Sequence, residues 1–96
     1  MGACDFYHEA NGKTVTEAFT NAREEAYWDH GHSGYTGTIA EKNNFVMIKL
    51  PEGEKPYDYA NKLIGDGDPR VDDKWGPAGC IELGEGRYLF FGWASS

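Results

Sequence analysis

Apolar and polar positions along the chain separate segments with strand spacing from segments with helical spacing. Residues 3–10 alternate loosely between apolar and polar side chains, which predicts a first strand. From Thr14 to Tyr27 the apolar residues instead recur every three or four positions, as on one face of a helix. Those residues are Val15, Ala18, Phe19, Ala22, Ala26 and Tyr27. This helix is the clearest element that the sequence predicts.

Side chains suited to helix termini lie at both ends of this segment. Thr14 and Glu17 form a T-x-x-E capping box, in which a hydroxyl and a carboxylate each satisfy a free backbone amide. Gly31 is placed to end the helix, because glycine tolerates the left-handed backbone conformation.

Shorter apolar segments follow. Thr36 to Ala40 has the character of a short strand. Phe45 to Leu50 is rich in β-branched and aromatic residues, which favours a well-buried strand that ends at Pro51. A second helix is expected from Pro56 to Gly65, since proline suits the first turn of a helix. Its apolar face would consist of Tyr57, Ala60, Leu63 and Ile64.

The C-terminal part of the chain predicts a long loop and then a hairpin. Gly65 to Gly76 is polar, acidic and rich in glycine, which is typical of a loop. Cys80 to Leu83 and Arg87 to Trp93 are the two expected strands, joined by the turn Gly84-Glu85-Gly86.

These elements together predict an α+β fold in the order β-α-β-β-α-β-β. The simplest packing is an antiparallel sheet of four to five strands with two helices on one face. The chain has 96 residues, which is the size of one domain, so we expect a single domain over residues 1–96.

The charge of the chain narrows the classes of partner. Sixteen acidic and nine basic residues give a net charge of -7, so binding to a nucleic acid polymer is disfavoured. A small ligand and a protein with a basic groove both remain open. The N-terminus lacks the features of a signal peptide, and no segment is apolar enough for a membrane span. We therefore expect a cytoplasmic protein, without membrane contact, in which Cys4 and Cys80 are free thiols.

Several phrases of the chain carry a family resemblance. The phrases are G-K-T, E-A-F, G-Y-T-G-T-I-A-E-K, D-D-K-W-G-P-A-G-C and the terminal L-F-F-G-W-A-S-S. Together they resemble a group of small bacteriophage accessory proteins. The resemblance implies action in the cytoplasm of the infected bacterial host, where such proteins counter host defence by blocking a protein or by sequestering a nucleotide signal.

The segment that follows the first helix combines glycines with hydroxyl side chains. Glycines let backbone amides turn toward an anion, and the hydroxyls add donors, a combination that suits a phosphate. The alternative is a plain helix stop and tight turn, because the dipole at a helix C-terminus disfavours anions. The predicted ligand-binding residues are His32, Ser33, Gly34, Tyr35, Thr36, Gly37, Thr38, Arg70 and Trp75.

Trp75 lies between charged residues and a Gly-Pro turn. With Tyr35 and Arg70 it would stack on a base or cover a pocket. The alternative is that Trp75 folds back over the C-terminal hairpin.

Metal binding and catalysis have weaker support. His30 and His32 are candidates for acid–base groups or metal ligands, but their spacing matches no known motif, which favours structural or solvated histidines. The acidic loop lacks the pattern of a calcium site, which favours a solvated loop. Its carboxylates are Asp66, Asp68, Asp72 and Asp73. We expect no metal, no cofactor and no catalytic residue.

The sequence therefore favours a non-enzymatic protein, acting as a homo-oligomer, that captures a small phosphorylated or nucleotide-like ligand without turnover. The first alternative is an acidic inhibitor that occupies a basic groove of a host defence enzyme. The second is a small enzyme that acts on a nucleotide through His30 or His32.

Overall fold

Four strands and two helices make up most of the chain that the structure describes. The structure is a computed structural model that describes residues 2–30 and 37–95, with only the backbone of Asp29 and His30. The elements are β1 (Ala3–Asn11), α1 (Val15–His30), a 3-10 helix (Ile39–Glu41), β2 (Phe45–Met47), α2 (Pro56–Asp66), β3 (Ala78–Gly84) and β4 (Arg87–Ser95). The predicted α+β class and the two helices are confirmed.

The sheet is mixed, with strand order β1-β4-β3-β2. β1 pairs antiparallel with β4 along its whole length, and β3 pairs antiparallel with β4. β2 pairs parallel with β3, with Phe45 opposite Ala78, so the prediction of a wholly antiparallel sheet is wrong at this edge. The reason is that α2 lies between β2 and β3 in the chain, and such a crossover returns the chain to the end of the sheet from which it left.

The predicted hairpin is confirmed, and its turn explains why it forms. Glu85 and Gly86 both have positive φ, at 57° and 75°. This is the pattern of a type I′ turn, whose twist matches the twist of two antiparallel strands. The Gly12 amide donates to the Gly86 carbonyl at 2.9 Å, so the turn is bonded to the junction between β1 and α1.

The two helices lie on opposite faces of the sheet, which corrects the prediction that both pack on one face. Tyr88, Phe90 and Ala94 of β4 pack with α1, whereas Leu89 and Phe91 pack with α2. A central strand with consecutive apolar residues exposes apolar surface on both faces, and each face therefore needs a covering helix.

The start of α1 contains the predicted capping box. The Glu17 amide donates to Thr14 Oγ1 at 3.1 Å, and the Lys13 amide donates to Glu17 Oε1 at 3.4 Å. The Glu17 carboxylate thus accepts from the amide of Lys13, the residue before Thr14, rather than from the Thr14 amide. Small side chains on the buried face let α1 lie close to β1 and β4, and these are Ala18, Ala22 and Ala26.

Two predicted strands differ from the structure. Thr36 lies outside the described residues, and Ile39–Glu41 is a 3-10 helix rather than part of a strand. The Ala40 amide donates to Thr38 Oγ1 at 3.2 Å, so a local side-chain bond replaces pairing with the sheet. β2 covers only Phe45–Met47 of the predicted segment, although the Ile48 amide still donates to the Cys80 carbonyl at 2.8 Å.

α2 begins at Pro56 as predicted but ends later. Gly65 lies inside the helix, and Gly67 is the C-cap, with φ of 67° and an amide that donates to the Ile64 carbonyl at 3.2 Å. The predicted long loop therefore begins at residue 67. Within the described part of the chain, neither helix combines the length and the apolar character that a membrane crossing requires.

Candidate functional site

One end of the sheet brings segment 37–42 close to the loop that contains Trp75. The Gly37 amide donates to the Ser95 carbonyl at 2.8 Å, which places the start of segment 37–42 at the end of β4. The Tyr27 hydroxyl donates to the Ala40 carbonyl at 3.3 Å, which places the C-terminal half of α1 beside the 3-10 helix. We call this region the tryptophan end. It consists of segment 37–42, the loop 67–77 and the part of α1 around Tyr27.

A buried lysine joins two parts of the tryptophan end. Lys42 is 1% exposed, and its ammonium donates to the carbonyls of Asp73, Lys74 and Gly76, at 3.2, 3.3 and 2.9 Å. Burial lowers the pKa of Lys42, and the Asp73 carboxylate opposes this shift. Lys42 therefore holds the loop against the segment that follows the 3-10 helix.

The loop presents Trp75 to solvent. Its side chain is 64% exposed, so it does not fold back over the hairpin. The Trp75 amide donates to Asp73 Oδ1 at 2.8 Å, and the Lys74 ammonium lies 5.3 Å from the centre of the indole ring. The exposed ring of Trp75 is thus carried by a backbone that hydrogen bonds within the protein hold in place.

A second exposed tryptophan lies on α1. Trp28 is 89% exposed and follows Tyr27, the residue that bonds to the 3-10 helix. Sequence analysis did not select Trp28, although the helical spacing contained the signal. Two positions after Ala26 is about 200° around the helix, which points Trp28 away from the core.

Exposed carboxylates lie beside both tryptophans. Glu24 and Glu25 precede Trp28 by four and three residues, which puts all three side chains on neighbouring positions of the helix surface. Asp72 and Asp73 are likewise exposed and precede Trp75 in the loop. Exposed carboxylates are therefore close in sequence to both tryptophans, and the Lys74 ammonium also lies beside the Trp75 ring.

Arg23 connects α1 to the 3-10 helix from inside. Its Nη2 donates to the Ala40 carbonyl at 3.4 Å, and its guanidinium lies 6.0 Å and 5.9 Å from the centres of the Phe19 and Tyr27 rings. Its buried Nε has no hydrogen-bond partner among the described residues. Arg23 thus links α1 to the 3-10 helix, with its guanidinium near both rings.

The predicted ligand-binding residues divide into three groups. His32, Ser33, Gly34, Tyr35 and Thr36 lie outside the described residues, and Trp75 and Arg70 are exposed. Gly37 and Thr38 use their amide and hydroxyl in the internal bonds given above. Arg70 donates through Nε and Nη2 to the Asp68 carboxylate, both at 3.0 Å, and these bonds lower the pKa of Asp68.

Two further contacts involve titratable side chains. His8 Nε2 lies 2.8 Å from Glu25 Oε1. The Tyr57 hydroxyl donates to Glu9 Oε2 at 2.6 Å, and desolvation together with this bond raises the pKa of Tyr57 to about 12. Within residues 2–30 and 37–95, no three histidine, cysteine, aspartate or glutamate side chains form a group that could hold a metal ion.

The two cysteines should differ sharply in reactivity. Cys4 is exposed, whereas Cys80 is buried, and desolvation raises the pKa of the Cys80 thiol to about 12. Because the thiolate is the reactive form, iodoacetamide at about pH 8 should modify Cys4 readily and Cys80 only after unfolding. Peptide mass spectrometry of the native and the urea-unfolded protein measures this. Equal rates at both sites in the native protein would show that the face of the sheet around Cys80 is open.

Comparison with known proteins adds no relative. No protein-family model matches the chain, and no curated protein or solved structure matches it. A functional proposal therefore depends on the geometry and charge of the tryptophan end.

Proposed function

We propose that this chain is a non-enzymatic binding protein that places its tryptophan end in a basic groove of a protein partner. One observation carries the proposal: Trp28 and Trp75 are 89% and 64% exposed, and exposed carboxylates precede each of them by a few residues in the chain. The sequence resemblance to phage accessory proteins suggests that the partner is a defence enzyme of the infected bacterial host.

Exposed tryptophans have a recognised role in protein interfaces. A tryptophan buries a large rigid surface at small conformational cost, and alanine scans find tryptophan enriched among the residues that dominate binding energy. Trp75 is well suited to this role because internal bonds hold its backbone before a partner arrives. A rigid contact loses less conformational entropy on binding than a loose one.

The charge around the rings suggests the chemistry of the partner. Glu24 precedes Trp28 by about one helical turn, Asp72 and Asp73 precede Trp75 in the loop beside the single Lys74 ammonium, and the whole chain carries a net charge of -7. Complementary charge accelerates association and selects a partner with a positive rim. An apolar pocket surrounded by lysine and arginine side chains is therefore the surface that this end would fit.

Capture of a nucleotide-like ligand, the function that the sequence favoured, is the second candidate. Its support is the exposed Trp75 ring with the Lys74 ammonium 5.3 Å from the ring centre, a combination suited to a base and a phosphate. In this case the protein would act as a homo-oligomer. It ranks second because Gly37, Thr38 and Arg70 already make internal bonds.

The test is capture of a partner by the immobilised chain from host lysate, followed by affinity measurement with the purified partner. Trp75→Ala and Trp28→Ala should each weaken binding by about 2 kcal/mol, roughly thirty-fold in affinity. Affinity should also fall steeply as salt is raised, because screening weakens complementary charges.

A charge-reversal pair supplies the matched control. Glu24→Lys with Asp72→Lys should abolish most of the binding, whereas Glu52→Lys with Glu54→Lys changes the net charge equally at exposed positions before α2 and should have little effect. In parallel, the protein is heated to release any bound small molecule. Stoichiometric release of an intact nucleotide, without a salt-sensitive protein partner, would replace this proposal with the capture function.

A further inference from the structure

Three backbone carbonyls from one short stretch of the loop converge on a single ammonium. The acceptors belong to Asp73, Lys74 and Gly76, and their distances to Lys42 Nζ are 3.2, 3.3 and 2.9 Å. An ammonium has three N–H donors, so the three acceptors match it completely. The carbonyls that flank Trp75 in the chain, those of Lys74 and Gly76, are both among them.

The ammonium at its centre stabilises this convergence. Carbonyl oxygens carry partial negative charge, and three of them around one point repel each other unless a donor lies between them. Lys42 is 1% exposed, so water has little access to replace the ammonium. Removing it would take the donor from the Lys74 and Gly76 carbonyls, while the Asp73 carbonyl would keep the Gly76 amide, so the loop would lose its hydrogen bonds to residue 42.

The position of Trp75 follows from these bonds. Its amide donates to Asp73 Oδ1 at 2.8 Å, and the Gly76 amide donates to the Asp73 carbonyl at 2.9 Å. The backbone on both sides of Trp75 is therefore held by two sets of hydrogen bonds. One set comes from the Lys42 ammonium, and the other is made within the turn by Asp73.

We propose that Lys42 is the positioning residue of the tryptophan end, and that its buried ammonium sets the geometry with which Trp75 meets its partner. The role of Lys42 in ordering the loop does not depend on the proposed function, whereas its effect on partner binding rests on that function. Lys42 acts only through the loop, because it is buried.

The sign of the effect on binding distinguishes positioning from electrostatics. Lys42→Met removes one positive charge and makes the chain more acidic, so charge alone would strengthen binding to a basic groove. Positioning requires the opposite result, a weaker complex. Lys49→Met is the matched control, since Lys49 is exposed and the change in charge is the same.

The first measurement is hydrogen exchange in the isolated chain. In Lys42→Met and Lys42→Ala, the amides of Trp75 and Gly76 should exchange faster by at least about tenfold, while the amides of β4 remain protected. Lys49→Met should exchange like the unmodified chain. Adding n-propylammonium to Lys42→Ala restores the missing atoms and should slow exchange in the loop again, whereas 1-propanol should not.

The second measurement is the affinity of the same variants for the purified partner protein. Lys42→Met should bind at least about tenfold more weakly than the unmodified chain, and Lys49→Met equally well or better. Unchanged exchange at Trp75 and Gly76 would overturn the inference whatever the partner is. Faster exchange with unchanged affinity would overturn the positioning role alone, while a loss of affinity in Trp75→Ala would still support the proposed function.

The Lys42 variants could also lose stability throughout the fold, and a separate titration distinguishes that result from a change in the loop alone. If Lys42→Met loses protection in β4 as well, exchange of Lys42→Ala is followed during titration with n-propylammonium. Recovery of the loop amides together with the strand amides supports the inference. Recovery of the strands while the loop amides stay fast would overturn it, because the ammonium would then stabilise the fold without ordering the loop.

Discussion

Replacing Phe19 with alanine will lower the free energy of unfolding by about 3–5 kcal/mol. Phe19 is 6% exposed, and its ring centre lies 5.1 Å from that of Phe45 and 5.5 Å from that of Phe90. The side chain therefore joins α1 to both β2 and β4. Alanine would remove these contacts and leave a cavity that neighbouring side chains fill only in part. Titration with urea or guanidinium measures the loss.

The matched control lies on the same helix. Trp28→Ala removes a larger aromatic side chain, but Trp28 is 89% exposed, so its loss should change the free energy of unfolding by less than about 0.5 kcal/mol. A loss below about 1 kcal/mol for Phe19→Ala would show that this face of α1 is not part of the core. The control also establishes that the Trp28 variant is folded in the binding experiments.

Local signals in the sequence predicted the elements that local interactions determine. The capping box at Thr14 and Glu17 and the apolar spacing of α1 identified that helix, and the turn around Glu85 identified the hairpin. In each case the residues that favour the structure lie within a few positions of the structure they form. Helices and two-residue hairpins are predictable for this reason.

Long-range packing accounts for the errors in the fold. The parallel pairing of β2 with β3 depends on where α2 returns the chain, which no pattern within β2 specifies. The sequence did contain a signal for helices on opposite faces, namely the consecutive apolar residues of β4 from Tyr88 to Phe91. A strand with one solvated face would have alternated apolar with polar residues there.

The candidate site was predictable in part. Trp75 was selected from its polar sequence context and is exposed, but Lys42 was not selected. Lys42 is preceded by Glu41 and followed by Asn43, a context typical of an exposed residue. Its burial depends on carbonyls 31 to 34 positions later in the chain, and no local pattern contains that information.

The junction between β1 and α1 should be as sensitive as the core. A Cβ atom at Gly12 would lie 2.5 Å from the Ala18 amide nitrogen and 2.9 Å from the Thr14 carbonyl oxygen. Both are backbone atoms, so no side-chain rotation relieves the overlap. The Gly12 amide also donates to Gly86, which limits how far the junction can move. We expect Gly12→Ala to lower the free energy of unfolding by about 3 kcal/mol, the upper end of the usual cost of overpacking.

The same substitution at Gly65 should have the opposite sign. Gly65 lies within α2, and a Cβ atom there would meet nothing within 4 Å. Alanine favours the helix over glycine by about 1 kcal/mol, so Gly65→Ala should raise the free energy of unfolding by up to that amount. Denaturant titration of both variants beside the unmodified chain gives the comparison. If Gly12→Ala were as stable as Gly65→Ala, the close approach of β1 to the first turn of α1 would not exist in solution.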